Sequence, residues 1–556
     1  MTKLECLAID LGIITANDLE RHTALQLILL IIERLNEVID KLNHIDLELL
    51  NQLRGVIAEL VDNGTISSLL ADEVFTILNS RSGGNRSIDE YQSYAIGDNW
   101  GLALQQVIKE GYKNIIFSKE NTYTFKKSGE DVDRLAYSSL IEGKSDITLD
   151  GNGATIEVDY KQEKIPCAIY FRECENIVVK NFKIKGVGNR LESPPSNPLY
   201  GGCAIKLWGV KQSQVINNQV HQMMYLVDLH WCEHFTIRDN KFTHDTYNEA
   251  FQSTRVPFSA ILAYGSKRGT IENNFIYGGL RDGDVSIFGL GTDEVNVCHN
   301  YISARGHNAA ETDYGGHNLS QAITIDQGCK RCNIHDNYIF GYYYGIDSKS
   351  NVHDMRIHDN VIEGCKISIA DRNGEYTATP NTDTIKIHNN IILLTKMFGE
   401  TTAKHEGYDI IGIYCEERFG ADIVGNTIKV SEGCWFPDGY VLCGVCYSQR
   451  DINDDYKTTG RIEQNDIIFT LGTQNGVFHA PLGSVMVHLK ATKWACVNMN
   501  GFRTSYEKAQ TCIKLTDGNL DGQIRLNKVM TGGQNTVVKS GNVTGFDTDL
   551  TEVNDD

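Results

Sequence analysis

The stretch "GGLRDGDVSIFG" sets Asp282 and Asp284 two positions apart among glycines, and a third aspartate, Asp326, closes the apolar run "AITIDQG". Glycoside hydrolysis needs two such carboxylates, one protonated to release the leaving oxygen and one ionised, about 5 Å apart for retention or about 6.5–9.5 Å for inversion. Asp282, Asp284 and Asp326 therefore form the candidate acid/base set. Glu249, Arg281, Glu311 and Asp313 are candidate substrate-binding residues around it, with His307 and His317 at the rim. Taken singly, an aspartate beside glycine is more often a turn residue. A binder without catalysis needs only aromatic platforms and polar clamps, and Trp208, Tyr264, Tyr342, Tyr343, Tyr344, Trp435 and Phe436 can supply the platforms.

Two further groupings bear on metals. His335, His358 and His388 each stand two residues before an Asn in successive copies of one motif, and either bind a divalent ion or form a surface ladder. The ladder is the preferred reading, because the motif fixes no acidic fourth ligand. Fifteen cysteines include the pairs Cys329/Cys332 and Cys443/Cys446. Their odd count and scattered spacing read as buried thiols rather than disulfides or a zinc site.

What must position these residues is a repeat. "CNIHDNYIF", "MRIHDNVIE" and "IKIHNNIIL" are near copies, and anchoring on the Asn gives a column of Asn181, Asn218, Asn240, Asn274, Asn300, Asn337, Asn360, Asn390, Asn426, Asn465 and Asn527. Every residue three before that Asn is Val or Ile. Every residue two after it is apolar except Lys183. This period of two, with a second apolar strand upstream in "CAIKLWG", "YLVDLHWC" and "AITIDQG", marks short strands with one buried face. No unit carries a long helical period, so the repeats predict a parallel β-helix whose turns stack about 4.8 Å apart, with Asn laddered at a bend. The long interruptions at 186–202, 244–259, 304–320 and 393–408 follow the same strand in different turns, so they wall one groove.

The chain is acidic, 72 Asp+Glu against 52 Lys+Arg with a net charge of -20, which excludes nucleic acid as a probable partner class. The N-terminal "MTKLECLAIDLGIITANDLERH" lacks a basic stretch ahead of a clean apolar one and reads as no signal peptide. Synthesis in a reducing cytoplasm is expected. The longest apolar run, "LQLILLII", is far short of the about 20 residues that span a bilayer.

Residues 97–125, "GDNWGLALQQVIKEGYKNIIFSKENTYTF", resemble the entry of the pectate-lyase-like right-handed β-helix superfamily, a capping helix followed by a first strand and turn. "ITLDGNGATIE" at 147–157 resembles its first complete rung, and the resemblance spans about 88–530. It implies a mainly β, right-handed parallel β-helix. That superfamily includes lyases, hydrolases, epimerases and virion adhesins, so the fold leaves the activity open. A lyase would imply a bound divalent cation and an Arg or Lys base, for which Arg281, Arg255 and Lys349 are candidates; otherwise no cofactor is implied. No lyase motif matches residue by residue, and hydrolysis is the expectation set ahead of elimination.

Upstream, Leu25, Ile28, Ile32, Leu35, Ile39, Leu42, Asp46, Leu49, Leu53, Val56 and Leu60 keep an unbroken 3-4 spacing, an α-helical coiled coil with one polar core position. Its wide apolar flank points to three strands. Coil, linker and acidic β-helix together resemble a bacteriophage tailspike or neck appendage. That resemblance implies a homotrimer attached to virion tail or neck proteins through 1–78, a linker at 79–96, a β-helix over 97–540 that meets a host cell-surface polysaccharide, and an acidic tail at 541–556. The alternatives are a polysaccharide lyase or hydrolase unconnected with virions, and a structural spacer. If Asp46 is a buried core position, Asp46→Ile raises the melting temperature of the N-terminal segment, and an unchanged transition by circular dichroism refutes the placement.

Overall fold

The computed structural model describes residues 85–554 except 131–135, 160–166, 188–201, 224, 244–258, 278–282, 305–320, 350–351, 373–384, 396–403, 417–420, 433, 435, 437–439, 449–459, 470–471, 475–476, 480–483, 491–494, 505–510, 517–522, 526, 531–535, 541–546 and 549–550. The heptads at 25–60 lie outside the described residues. Among those described, one α-helix, α1 (Trp100–Lys109), and two short 3-10 helices precede three long sheets of 16, 14 and 16 strands.

Consecutive strands visit the three sheets in rotation. Asn333–His335 lies in sheet A, Tyr338–Phe340 in sheet B and Tyr344–Lys349 in sheet C, and Arg356–His358 returns to sheet A beside Asn333–His335. The chain is a parallel β-helix. Copies of the motif stack residue on residue, Ile334 on Ile357, His335 on His358 and Ile339 on Ile362. The inward isoleucines Ile334, Ile357 and Ile387 are fully buried, each worth about 1.5–3 kcal/mol over an exposed side chain. A slip of one residue would turn all of them outward, so the apolar alternation holds the register.

Sheet A passes to sheet B through a two-residue corner. The first residue is left-handed, with φ of 54° at Asp336, 55° at Asp359 and 57° at Asn389, a conformation that Asp, Asn and Gly tolerate best. The second is the repeated Asn, and the expected ladder is present. Asn337 is 1% exposed. Its Nδ2 donates to Asn360 Oδ1 at 3.0 Å and to the Val297 and His335 carbonyls at 2.9 Å, while its Oδ1 accepts from the Asn300 main-chain N–H at 3.1 Å and from Asn300 Nδ2 at 3.0 Å.

The ladder departs from the sequence reading at two points. Asn181 is the left-handed corner residue, φ 62°, and accepts from Asn217 Nδ2 at 2.8 Å; Phe182 occupies the ladder position, donating its N–H to Asn218 Oδ1 at 3.1 Å. Lys183 is therefore no exception. In that turn the inward residues are Val179 and Ile184, both buried, and alternation turns Lys183 out. Asn500 also belongs to the ladder, bonded to Asn465 on one side and Asn527 on the other.

Helix α1 plugs the first end of the core. Asn99 caps it, accepting from the Gly101 N–H at 3.2 Å, and Leu104, Val107 and Ile108 are buried against the open coil. Gly101 lies so close to sheet C that a Cβ would sit 2.4 Å from the Ser138 carbonyl oxygen. From Arg86 onward the segment read as a linker belongs to this plug, since Arg86–Ser87 pairs with Ile115 and Ile116 and both Ile88 and Tyr91 are buried. At the far end the stretch read as a tail carries Asp547–Thr548 in sheet A and Thr551–Asn554 in sheet C. Strands this short show too little alternation to be read from sequence. The fourteen described cysteines are all free thiols, and Cys329, Cys332, Cys443 and Cys446 are buried in the packing.

Replacing Asn337 by Ala removes one rung and leaves buried main-chain groups without partners, an expected loss of about 2–4 kcal/mol. Asn181→Gly, at the left-handed corner, changes stability by less than about 1 kcal/mol. Chemical denaturation of the two variants separates a ladder from a row of good turn residues, which predicts equal losses.

Candidate functional site

The four long interruptions all join a sheet B strand to the next sheet C strand, for example Lys241–Thr243 to Ile261–Tyr264 and Tyr301–Ser303 to Gln321–Asp326. The strands that flank them end and begin along one edge of the body. Sheet C lies beside that edge, and its outward side chains fall into columns because the strands pair in register. One column runs Lys206, Asp228, Leu262, Ser286, Thr324, Asp347. The next runs Trp208, His230, Tyr264, Phe288, Asp326.

The second column is an aromatic track. Trp208 and His230 stack with centroids 4.9 Å apart and planes at 12°, His230 and Tyr264 lie 5.3 Å apart, and Tyr264 and Phe288 5.5 Å. Trp231 stands edge-on to Trp208 at 4.6 Å and is 48% exposed. Beneath the track sits a charged trio. Lys206 pairs with Asp228 Oδ2, and His230 Nε2 lies 2.8 Å from Asp228 Oδ1, with all three side chains at least nine-tenths buried. Burial opposes the charge on Asp228, yet the Lys206 ammonium and His230 outweigh it and hold the carboxyl well below its ordinary range. The Lys206 ammonium also lies 5.5 Å from the Trp208 ring centre. Asp228 thereby fixes the buried His230 imidazole between the Trp208 and Tyr264 rings.

Farther along, Asp347 is fully buried and bound by Arg372 through both guanidinium arms, at 2.9 and 2.6 Å, with Lys349 at 3.6 Å. Arg372 lies 4.3 Å from the Tyr344 ring centre. Burial again opposes ionisation of Asp347, and Arg372 and Lys349 overcome it. Still farther, His488 is clamped between Tyr408 Oη at 2.9 Å and Thr516 Oγ1 at 2.8 Å. Burial, helped by Lys514, pushes its imidazole down to about 4.

Of the residues singled out in the sequence, Trp208 and Tyr264 share the track, and Asp326 follows Phe288 in the same column, half-buried, its Oδ1 accepting from the Gln327 N–H at 2.7 Å. Asp284 lies elsewhere. It precedes the strand Val285–Phe288, is fully buried, and accepts from the buried Tyr342 hydroxyl. Tyr344 and Phe436 are buried as well. Glu249, Arg281, Asp282, His307, Glu311 and Asp313 lie outside the described residues. The sequence reading missed Lys206, Asp228, His230, Trp231 and Arg372. Their signal was a charged or polar residue at matching positions of otherwise apolar strands, in "AIKLW" and "LVDLH".

On sheet A, His335, His358 and His388 form the preferred ladder. Their rings stack at 5.0 and 4.7 Å with planes within 3°, an arrangement that aligns the ring nitrogens in parallel instead of converging them on one ion.

The fold and this face define a parallel β-helix protein with an aromatic, charged outer track. The sequence matches no protein-family profile and no curated protein. Among solved structures, the A-module of the mannuronan C-5 epimerase AlgE6 of Azotobacter vinelandii is 14% identical, covering 80% of this chain and 100% of that one at a TM-score of 0.44. The Gp54 tailspike of Acinetobacter baumannii bacteriophage AP22, solved with A. baumannii capsular saccharide, is 10% identical over 82% of this chain and 78% of its own at 0.41. DFA-IIIase of Arthrobacter chlorophenolicus A6, without its lid and with GF2, is 10% identical over 81% and 99% at 0.40. At these identities and scores none of the three bears on the chemistry of this chain.

The clamped His488 makes stability depend on pH. The folded imidazole stays neutral down to about 4, whereas the unfolded one protonates near 6.5. The unfolded chain therefore takes up the proton first as pH falls. Stability is full above about 6.5 and declines towards 4, by about 3 kcal/mol in all. Denaturation near pH 7 and near pH 4.5 should show that decline in the wild type and a smaller one in His488→Gln; equal declines would remove His488 as the cause.

Proposed function

We propose that this chain binds an extended cell-surface polysaccharide along the outer face of sheet C, as the receptor-binding spike of a bacteriophage tail or neck. The observation that carries the reading is the track of Trp208, Tyr264 and Phe288, partly exposed rings packed around the buried His230 on successive turns of a rigid body, with the exposed Trp231 beside them. Sugars pack on such rings through their apolar faces while their hydroxyls reach a neighbouring charged group, here Asp326; Lys206 and Asp228 hold the rings from below the surface. The N-terminal heptads support assembly of three copies and attachment to the particle through 1–78.

A second reading, cleavage of the same glycan, is favoured by the position of Asp326 at the end of the track. In it Asp326 acts with Asp282 as the acid/base pair, and Asp284 supports the site from within the core.

Purified full-length protein is titrated with capsular and cell-wall polysaccharides from candidate hosts, and binding is followed by tryptophan fluorescence. Trp208→Ala should weaken binding at least about tenfold, the size of one lost aromatic–sugar stack. Unchanged affinity would place the glycan elsewhere. New reducing ends without the ultraviolet absorbance of unsaturated uronates, abolished by Asp326→Asn, would add hydrolysis to binding.

A further inference from the structure

We propose that a cleft on the outer face of sheet A is a separate saccharide site, one that takes a uronate-bearing oligosaccharide. The cleft encloses about 460 Å³ between Asn296, Arg331, Asn333, Asp354, Arg356 and Lys386. Four of these, Asn296, Asn333, Arg356 and Lys386, occupy one outward column on four successive turns, held in register by main-chain pairing.

The charge arrangement is unlike that of the rest of sheet A. Elsewhere on this face cations stand against acids, either ion-paired, as Lys113 with Asp146 at 2.8 Å, Lys180 with Asp150 at 3.2 Å, Arg268 with Glu294 at 3.3 Å and Arg461 with Asp422 at 2.6 Å, or stacked between acids in their column, as Lys211 between Glu175 and Glu233 and Lys267 between Glu233 and Asp293. Arg331 is likewise paired, with Asp293 and Glu294. Asp336 and Asp359 are taken up by the Nδ1 atoms of His335 and His358, at 2.7 and 2.6 Å. Among the described residues this leaves three charges in the cleft without an ionic partner: the exposed Arg356 and Lys386, stacked one turn apart, and the exposed Asp354 at the corner. Arg356 and Lys386 are thus like charges stacked on neighbouring turns, and Asp422, next after Lys386 in the column, is held by Arg461.

The mixture selects the ligand. A guanidinium and an ammonium on neighbouring turns suit a carboxylate, the guanidinium through a bidentate fork. Asp354 then accepts from sugar hydroxyls, as does the Asn296 carboxamide, while Asn333, whose Oδ1 is met by His358 Nε2 at 2.9 Å, offers its Nδ2 as a donor. A polyphosphate backbone is disfavoured, because Asp354 would face its charge and the acidic body would repel it over a longer range. The repeat of the column, one side chain per turn at about 4.8 Å, is close to the rise of one pyranose in an extended chain.

The test uses full-length protein carrying Trp208→Ala, so that loss of the sheet C track leaves this site as it was. Isothermal titration with a galacturonate hexamer should give binding that raised salt weakens, and the carboxyl-reduced, neutral hexamer should give none. Adding Arg356→Gln and Lys386→Gln together should weaken binding at least about tenfold. Lys211→Gln, a cation of the same face remote from the cleft and stacked between Glu175 and Glu233, should change it less than about twofold. Absence of binding in the Trp208→Ala protein, equal affinity for the neutral hexamer, full affinity in the double variant, or tighter binding of a single-stranded oligonucleotide than of the uronate would each overturn the proposal.

Discussion

Main-chain pairing of each turn with the one before it is the constraint from which the rest of this structure follows. A parallel strand copies the register of its neighbour, so a residue type chosen at one position is confronted with its equivalent about 4.8 Å above and below. That confrontation makes some side chains self-complementary and others prohibitive. Asn is self-complementary because its carboxamide both donates and accepts along the axis, and the run from Asn218 to Asn527 uses both capacities. The corner it occupies is buried, where an unbonded amide would be costly. The ladder thus satisfies polar groups that the coil must bury in order to close.

The same confrontation explains the outer face of sheet C. Stacking like charges would be unfavourable, and the column instead places Lys206 against Asp228. Removing such a pair from water is expensive, and an apolar pair of similar volume would serve stability as well or better. Buried ionic groups at Asp228 and again at Asp347 are thus difficult to explain as packing. They hold neighbouring rings in place instead, His230 on one, and Arg372 against Tyr344 on the other. A surface built this way is rigid before any ligand arrives, and little ordering entropy is left to lose on binding.

The body was legible in the sequence because its rules are local and repeated. Ile334, Ile357 and Ile387 declared the inward face, and "HDN" declared the corner. The single misplacement, at Asn181, arose because both corner positions accept Asn and the first turn puts Phe182 where its successors carry Asn. The candidate site was only partly legible. Trp208 and Tyr264 stood out as large rings, and Asp326 as an acid ending a strand. Lys206, Asp228 and His230 did not, since their partnership depends on which strands become neighbours, a long-range property that a sequence window does not contain. Asp284 misled for a related reason: beside glycine it looked like a loop carboxylate, yet Tyr342, in a later coil, makes its position an interior one.

The three corners of each turn divide the chain into parts that can and cannot change length. Between sheets A and B the link is two residues in turn after turn, and one inserted residue would break a rung and rotate every following side chain to the wrong face. Between sheets B and C the link runs from the three residues that join Tyr338–Phe340 to Tyr344–Lys349 to the much longer one joining Tyr301–Ser303 to Gln321–Asp326, with no change in the pairing of the strands it connects. The corner from sheet C to sheet A varies as well, from the two residues between Trp208 and Lys211 to the thirteen between Arg372 and Lys386. Insertions and deletions are therefore tolerated along both edges of sheet C and not at the Asn corner, so the links beside the aromatic track can be exchanged without the coil having to fold anew.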